Sequence, residues 1–224
     1  MPSAGRRSGS PLDAPVVAEV EVPPTLTHSP SAAPKLAETL SPSSLGGAHA
    51  LPGEGDAADV AMARGSILHD LLETLPTVPA ERWAEVAARI APDAPDLVAE
   101  ALAVLTVHPD LFAPGTLAEV AVTGALAGQR VNGRIDRIVP RADGSILLVD
   151  FKSNRVIPRD ANAVPEAVLR QLGAYHAVLA QQFAPARLDL AVLWTAEARL
   201  MEVPHDLVTA ALARASLDHG GVAP

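Results

Sequence analysis

The sequence contains no cysteine. That absence excludes disulfide frameworks, cysteine-ligated zinc, iron–sulfur clusters and thiol nucleophiles, and it suits a reducing cytoplasm. Aromatic residues number only six of 224, too few for a base-stacking platform. No apolar run approaches about 18–20 residues, so no segment reads as a membrane-spanning helix. The Arg6-Arg7 pair is followed by proline and acidic residues rather than an apolar stretch, which makes a poor export signal. Positive charge is also short. Seventeen Lys and Arg face 26 Asp and Glu, a net charge of −9 that argues against coating nucleic acid by bulk electrostatics. Lysine occurs only at Lys35 and Lys152, so a lysine in a special setting stands out.

What is present is core material. Hydrophobic residues make up 49%, enough for one ordinary domain plus a further segment. Residues 1–60 hold nine of the 21 prolines and none of the aromatics. They read as a Pro/Ser/Ala-rich tail or linker, largely disordered, with a short anchored piece near Leu40–Leu45. Residues 61–224 read as the folded domain. Ile67, Leu68, Leu71, Leu72 and Leu75 recur at helical spacing up to Pro76. Glu81–Ala91 and Asp96–Val107 give two more helices between prolines. The period then switches to two over Leu117–Val122, Gln129–Val139 and Ser145–Lys152, three consecutive strands. Pro165–Phe183 is helical, Leu188–Trp194 an apolar strand, Leu200–Val203 a further strand and Leu207–Ser216 a closing helix. This order predicts a mixed α/β layer arrangement.

One stretch carries chemistry: Gly133-Arg-Ile-Asp136, then Val149-Asp150-Phe-Lys152 after one tight turn. On a strand, Ile146, Leu148, Asp150 and Lys152 share one face, and Leu147, Val149 and Phe151 the other. An isolated Asp-X-Lys is common and usually a solvated pair, so the turn matters. A two-residue Asp143-Gly144 turn sets Asp136 opposite Phe151. A three-residue Ala142–Gly144 loop sets it opposite Asp150. In the second case the two carboxylates repel unless a cation lies between them. Mg²⁺ suits such a pair, with remaining positions left to water and phosphate oxygens, and Lys152 then supplies charge near the attacked phosphorus.

Gly133-X-X-Asp136 followed by Asp150-X-Lys152 resembles the catalytic core of the PD-(D/E)XK nuclease superfamily, in its RecB-like branch. Arg64-Gly65-X-X-X-His69 matches that branch's upstream helix, Glu119 its preceding-strand glutamate, and Gln171-X-X-X-Tyr175 its Gln-X-X-X-Tyr motif. More narrowly, Leu40-Ser-Pro-Ser, Val149-Asp-Phe-Lys-Ser-Asn-Arg155, Leu169-Arg-Gln-Leu-X-X-Tyr175 and Leu193-Trp-Thr are similar to the C-terminal nuclease domain of AddA-type helicase–nuclease subunits, in their alphaproteobacterial form. The resemblance implies a restriction-endonuclease-like α/β core: helix, three-strand antiparallel meander, helix and further strand, with extra N-terminal helices. It implies catalytic Asp136, Asp150, Lys152, Gln171 and Tyr175, with metal held by His69, Asp136 and Asp150 and with Glu119 behind them. It implies Mg²⁺ as cofactor, Mn²⁺ substituting, and no iron–sulfur cluster.

Between Arg130 and Arg170, eight basic residues face five acids, so basic charge is concentrated where the motifs lie. Arg64, Arg134 and Arg155 are the candidate DNA contacts, and Arg137 and Arg159 are further guides for a phosphate backbone. His28, His49, His108, His176 and His205 have no evident partner and read as structural. The expected function is a Mg²⁺-dependent nuclease acting on DNA ends or single strands in double-strand-break repair. Its expected partners are DNA and a helicase or AddB-like subunit, with no membrane. No Gly-X-X-X-X-Gly-Lys-Ser/Thr loop occurs, so the chain carries no ATPase or helicase motif of its own. The alternatives are an inactive DNA-end-binding or assembly module, and a free-standing restriction- or phage-type nuclease.

Overall fold

β4 (Ile146–Lys152) is apolar on both parities, and a strand of that kind must be covered on both faces. The computed structural model of the protein, which describes residues 39–42, 58–126, 128–183 and 187–219, provides that cover. Helices α1 (Ala58–Thr74), α2 (Trp83–Ile90) and α3 (Pro95–Val107) pack on the face bearing Leu147, Val149 and Phe151. Helices α4 (Glu166–Ala180) and α5 (His205–His219) pack on the face bearing Leu148, together with Leu190 and Val192.

The sheet has six strands. β2 (Leu117–Leu126), β3 (Gln129–Pro140) and β4 form an antiparallel meander. After α4, β5 (Leu188–Trp194) returns parallel to β4, and β6 (Arg199–Glu202) pairs antiparallel with β5. The expected order of helices, meander, helix and further strand is the order found, and the sheet with helices on both faces is the expected mixed α/β class. Element ends moved by a few residues. β2 runs on to Leu126, α1 begins at Ala58, and α2 is preceded by a short 3₁₀ turn at Ala80–Arg82.

The β3–β4 turn settles the register. Arg141 N–H donates to the Ser145 carbonyl, and Gly144 sits at φ +80°, a left-handed conformation that glycine adopts without steric cost. The loop is therefore Ala142–Gly144, stabilised by Ser145, whose N–H and hydroxyl both donate to Asp143 Oδ1. Pairing runs from Pro140↔Ile146 to Arg137↔Val149, and one further step sets Asp136 opposite Asp150.

Most of the expected tail lies outside the described residues, but one piece of it is a strand. β1 (Thr39–Leu40) pairs parallel with Arg130 and Val131 of β3. β2 lies along the whole of one edge of β3, so β1 and β4 share the other edge at opposite ends. On that other edge, between β1 and β4, no described strand pairs with residues 132–136. The sheet forks there, and the fork is where Asp136 lies.

Candidate active site

The cleft at the fork has a volume of about 560 Å³, and Ser41, His69, Asn132, Arg134, Asp136, Asp150, Lys152, Gln171 and Tyr175 are among its lining residues. Each element delivers its residue for a local reason. Gly133 is required by close approach. A Cβ there would come within 2.8 Å of Pro42 Cδ and 2.9 Å of Tyr175 Cε1, so the motif's glycine lets the chain beyond β1 and α4 close over β3. Tyr175 occupies the gap left between β1 and β4. Its hydroxyl donates to the Arg134 carbonyl at 2.6 Å and accepts the Arg134 N–H at 3.3 Å, satisfying peptide groups that a strand would otherwise pair.

Asp136 and Asp150 are both buried. Asp136 Oδ2 accepts the Phe151 N–H, and Oδ1 lies 3.5 Å from His69 Nδ1. Burial, reinforced by the charge of Asp150, pushes the Asp136 carboxyl up to about 7. Asp150 Oδ1 accepts from Gln171 Nε2 at 2.8 Å, while Lys152 Nζ lies 2.7 Å from Asp150 Oδ2 and donates to Gln171 Oε1 at 3.1 Å. The Lys152–Asp150 ion pair does not lie along a hydrogen-bond direction, so the buried Oδ2 accepts no hydrogen bond. Burial opposes the charge on Lys152, but Asp150 and then Asp136 outweigh it and hold the ammonium above its ordinary range.

Glu119 stands at an irregular point of β2. Its backbone is left-handed, φ +50°, and the β2–β3 pairing skips it. Such a conformation costs a non-glycine residue about 1–3 kcal/mol, and strain of this kind concentrates at functional sites. The Glu119 side chain lies 3.2 Å from His69 Nδ1 through Oε1 and accepts from Arg134 at 3.4 Å through Oε2. Burial alone would lower His69; its hydrogen bond to Glu119 and the charges of Asp136, Glu119 and Asp150 more than offset that and raise it. The bond to His69 in turn lowers Glu119.

Among the described residues, one group brings ligand-type atoms together: those of His69, Glu119 and Asp136 lie within 4.8 Å of one another. Asp150, expected as a direct ligand, stands beside this group and is engaged by Lys152 and Gln171. Glu119, expected behind the ligands, lies in this group. The donor set of three acids and an imidazole, a carboxyl raised by its neighbour's charge, and a buried carboxylate oxygen without a hydrogen bond together fit a divalent cation.

The arginines divide. Arg134 lines the cleft and is largely exposed. Arg64 pairs with Asp96 at 3.0 Å, and Arg155 with Glu100 at 3.1 Å, both toward α3. Arg137, expected as a backbone guide, is buried. Its Nη2 donates to the Leu72 carbonyl at 2.8 Å, and its guanidinium lies 4.6 Å over the Phe112 ring. It thereby fastens the end of α1, which carries His69, to the strand that carries Asp136. Arg159 is exposed beside Asp160. His108 bonds the Ala198 carbonyl and His176 packs on His205, whereas His28 and His49 lie outside the described residues. Sequence reasoning gave no site role to Ser41 or Asn132 in the cleft wall, or to Phe151, whose ring stands 5.7 Å from that of His69. It also passed over the buried Glu100 of α3. Of these, Glu100 had a signal, since its spacing to Leu97, Ala101 and Val104 sets a carboxylate on an apolar helix face.

No curated protein matches the chain. Among solved structures, a protein from Eubacterium rectale named as a candidate exonuclease aligns at TM-score 0.49 and 14% identity, over 74% of this chain and 66% of its own, just under two thirds. The protein SSO0001 aligns at TM-score 0.34 and 18% identity, over 71% of this chain and 86% of its own. The family model of the PD-(D/E)XK nuclease superfamily matches residues 45–214, a span that holds β2 to β6, both aspartates and Lys152. The chain belongs to the PD-(D/E)XK nuclease superfamily.

Proposed function

We propose that the chain is a Mg²⁺-dependent deoxyribonuclease acting on DNA ends and single strands, the nuclease module of an AddAB-type helicase–nuclease in double-strand-break repair. Nucleases of this superfamily use divalent metals, and the family implies DNA as substrate. The observation that carries the proposal is the convergence of His69, Asp136, Asp150 and Lys152 in one cleft, with Glu119 grouped against His69 and Asp136.

In this reading His69, Asp136 and Glu119 hold the cation, with Asp150 beside them. Mg²⁺ when bound supplies a water of lowered pKa and neutralises charge on the phosphate. Asp150 pairs with the Lys152 ammonium as an ion, and Gln171 accepts one of its three protons. The ammonium therefore keeps donors for the phosphate oxygens, whose charge grows as the attacking oxygen closes on phosphorus. Tyr175 keeps the backbone of β3 in place at Arg134, and the exposed guanidinium of Arg134 binds the substrate backbone.

The AddA-type reading is supported by where its narrower motifs fall. Ser41-Pro42 lies against Gly133 and in the cleft wall, and Trp194 pairs with Lys152. Arg64 joins the DNA-binding surface only if substrate draws it from Asp96, whereas the half-exposed Arg155 can meet a phosphate while keeping its bond to Glu100. Residues 1–60 serve mainly as a linker, except that Thr39–Pro42 and the start of α1 join the nuclease domain of 61–224, and the chain is placed in the cytoplasm with a helicase or AddB-like partner. No helix among the described residues is long and apolar enough to cross a membrane.

The experiment compares end-labelled single-stranded and blunt duplex oligonucleotides with Mg²⁺. Faster cutting of the single strand is expected. Binding of ends with no cleavage, alone or with the helicase partner, would leave the chain an assembly module.

A further inference from the structure

Away from the cleft, one buried acid is used by none of the chemistry above. Glu100 of α3 is 9% exposed, and burying a carboxylate is costly unless something fixed is gained from its bonds. Its two oxygens reach two different segments. Oε1 accepts from Thr195 Oγ1 at 2.6 Å, and Oε2 accepts from Arg155 Nη1 at 3.1 Å. Thr195 opens the turn that follows β5. Its hydroxyl also lies 3.2 Å from the Lys152 carbonyl, so its one proton is shared between Glu100 and the end of β4. Arg155 stands three residues beyond Lys152. The chain leaving β4 is thus held at Lys152 through Thr195 and at Arg155 directly, and both holds end on one carboxylate.

We propose that Glu100, acting through Thr195 and Arg155, is a positioning residue that fixes the exit of β4 and thereby the place of the Lys152 ammonium against Asp150 and Gln171. The inference rests on the reading of Lys152 as the group that acts on the phosphate. Neither Glu100 nor Thr195 lines the cleft, so their effect must pass through the backbone of Lys152. The distance scale is demanding, because a misplacement of about 1 Å in a reacting group costs about a hundredfold in rate.

The test uses the full chain with Thr195→Val, Thr195→Ser and Glu100→Gln. Thr195→Val removes the hydroxyl and keeps the shape, Thr195→Ser keeps the hydroxyl, and Glu100→Gln replaces the acceptor facing Arg155 with an amide. Single-turnover cleavage at saturating Mg²⁺ and DNA is expected to fall about ten- to a hundredfold in Thr195→Val and Glu100→Gln, with the KM for DNA and the Mn²⁺ affinity unchanged. Thr195→Ser is expected to retain most of the rate. A second readout needs no catalysis. The chain has two lysines, Lys35 and Lys152, so acetylation of Lys152 can be followed by mass spectrometry against Lys35 as internal reference. It is expected to rise several-fold in Thr195→Val and Glu100→Gln and to stay at the wild-type rate in Thr195→Ser. A merely structural role would lower the melting temperature while leaving the rate per folded molecule and the labelling of Lys152 unchanged, and that result overturns the inference. Should the wild type not cleave DNA, the proposed function falls while the labelling still decides this point. Should Glu100→Gln not fold, the Thr195 pair decides it alone.

Discussion

Asp136→Asn should make the metal-free protein more stable, although it removes a residue from the centre of the site. Burial and the neighbouring charge of Asp150 raise the Asp136 carboxyl to about 7, against an ordinary value of about 3.9. At pH 8, keeping it ionised in the fold therefore costs up to about 4 kcal/mol, at about 1.4 kcal/mol for each tenfold. The amide retains an oxygen to accept the Phe151 N–H but exchanges an ionic contact with His69 for a weaker one, so a net gain of about 1–3 kcal/mol is expected. The sign with pH follows from the raised value. The penalty is absent below about pH 4, where the carboxyl is protonated in both states, grows between about pH 4 and 7, and is complete above about 7. Urea unfolding in EDTA should thus show the variant ahead of wild type at pH 8 and level with it near pH 4–5. Saturating Mn²⁺ should invert the order, since a ligand at a hundred times its Kd adds about 2.7 kcal/mol to the protein that binds it. A variant less stable than wild type in EDTA at pH 8 would refute the reasoning, because the carboxylate would then be a net stabiliser through His69.

Three further outcomes follow from the same geometry. Lys152→Ala should lower single-turnover cleavage by about 10²–10³-fold with metal and DNA binding retained, and Lys152→Arg should not restore it, because a planar guanidinium does not replace a compact ammonium against Asp150. Full speed in the arginine variant would mean that charge alone suffices. Tyr175→Phe should cost about 1–3 kcal/mol in urea unfolding, because it leaves both peptide groups of Arg134 without their partner; an unchanged midpoint would show that water takes the hydroxyl's place. Gly133→Ala should cost about 1–3 kcal/mol by overpacking against Pro42 and Tyr175, and a wild-type melting temperature would contradict the tight closure over β3.

The alternation from Ile146 to Lys152 is legible because side-chain direction on a strand is fixed by a period of two. That period alone sets Asp150 and Lys152 on one face. The register of Asp136 is not legible in the same way, since Asp143-Gly144 fits either loop length. The choice rests on Ser145 bonding to Asp143, a local hydrogen bond that pattern alone does not rank. The place of Glu119 beside His69 is illegible for a related reason. Its side chain reaches His69 through a left-handed backbone, whereas an ordinary strand conformation is the default for glutamate. Arg137 was misplaced because arginine is seldom buried, and only the packing of α1 supplies the Leu72 carbonyl and the Phe112 face that hold it. β1 is two residues long within a proline-rich stretch, too short to carry any period.

The most direct test of the account is cleavage of a single-stranded oligonucleotide by the purified chain in Mg²⁺, in EDTA, and in Mg²⁺ with Asp136→Asn. The account predicts cutting in the first case only, restored on adding Mg²⁺ back to the EDTA sample and never restored in the variant. Wild-type cleavage by Asp136→Asn, or cleavage that persists in EDTA, would contradict the claim that the forked sheet builds a metal-dependent nuclease site.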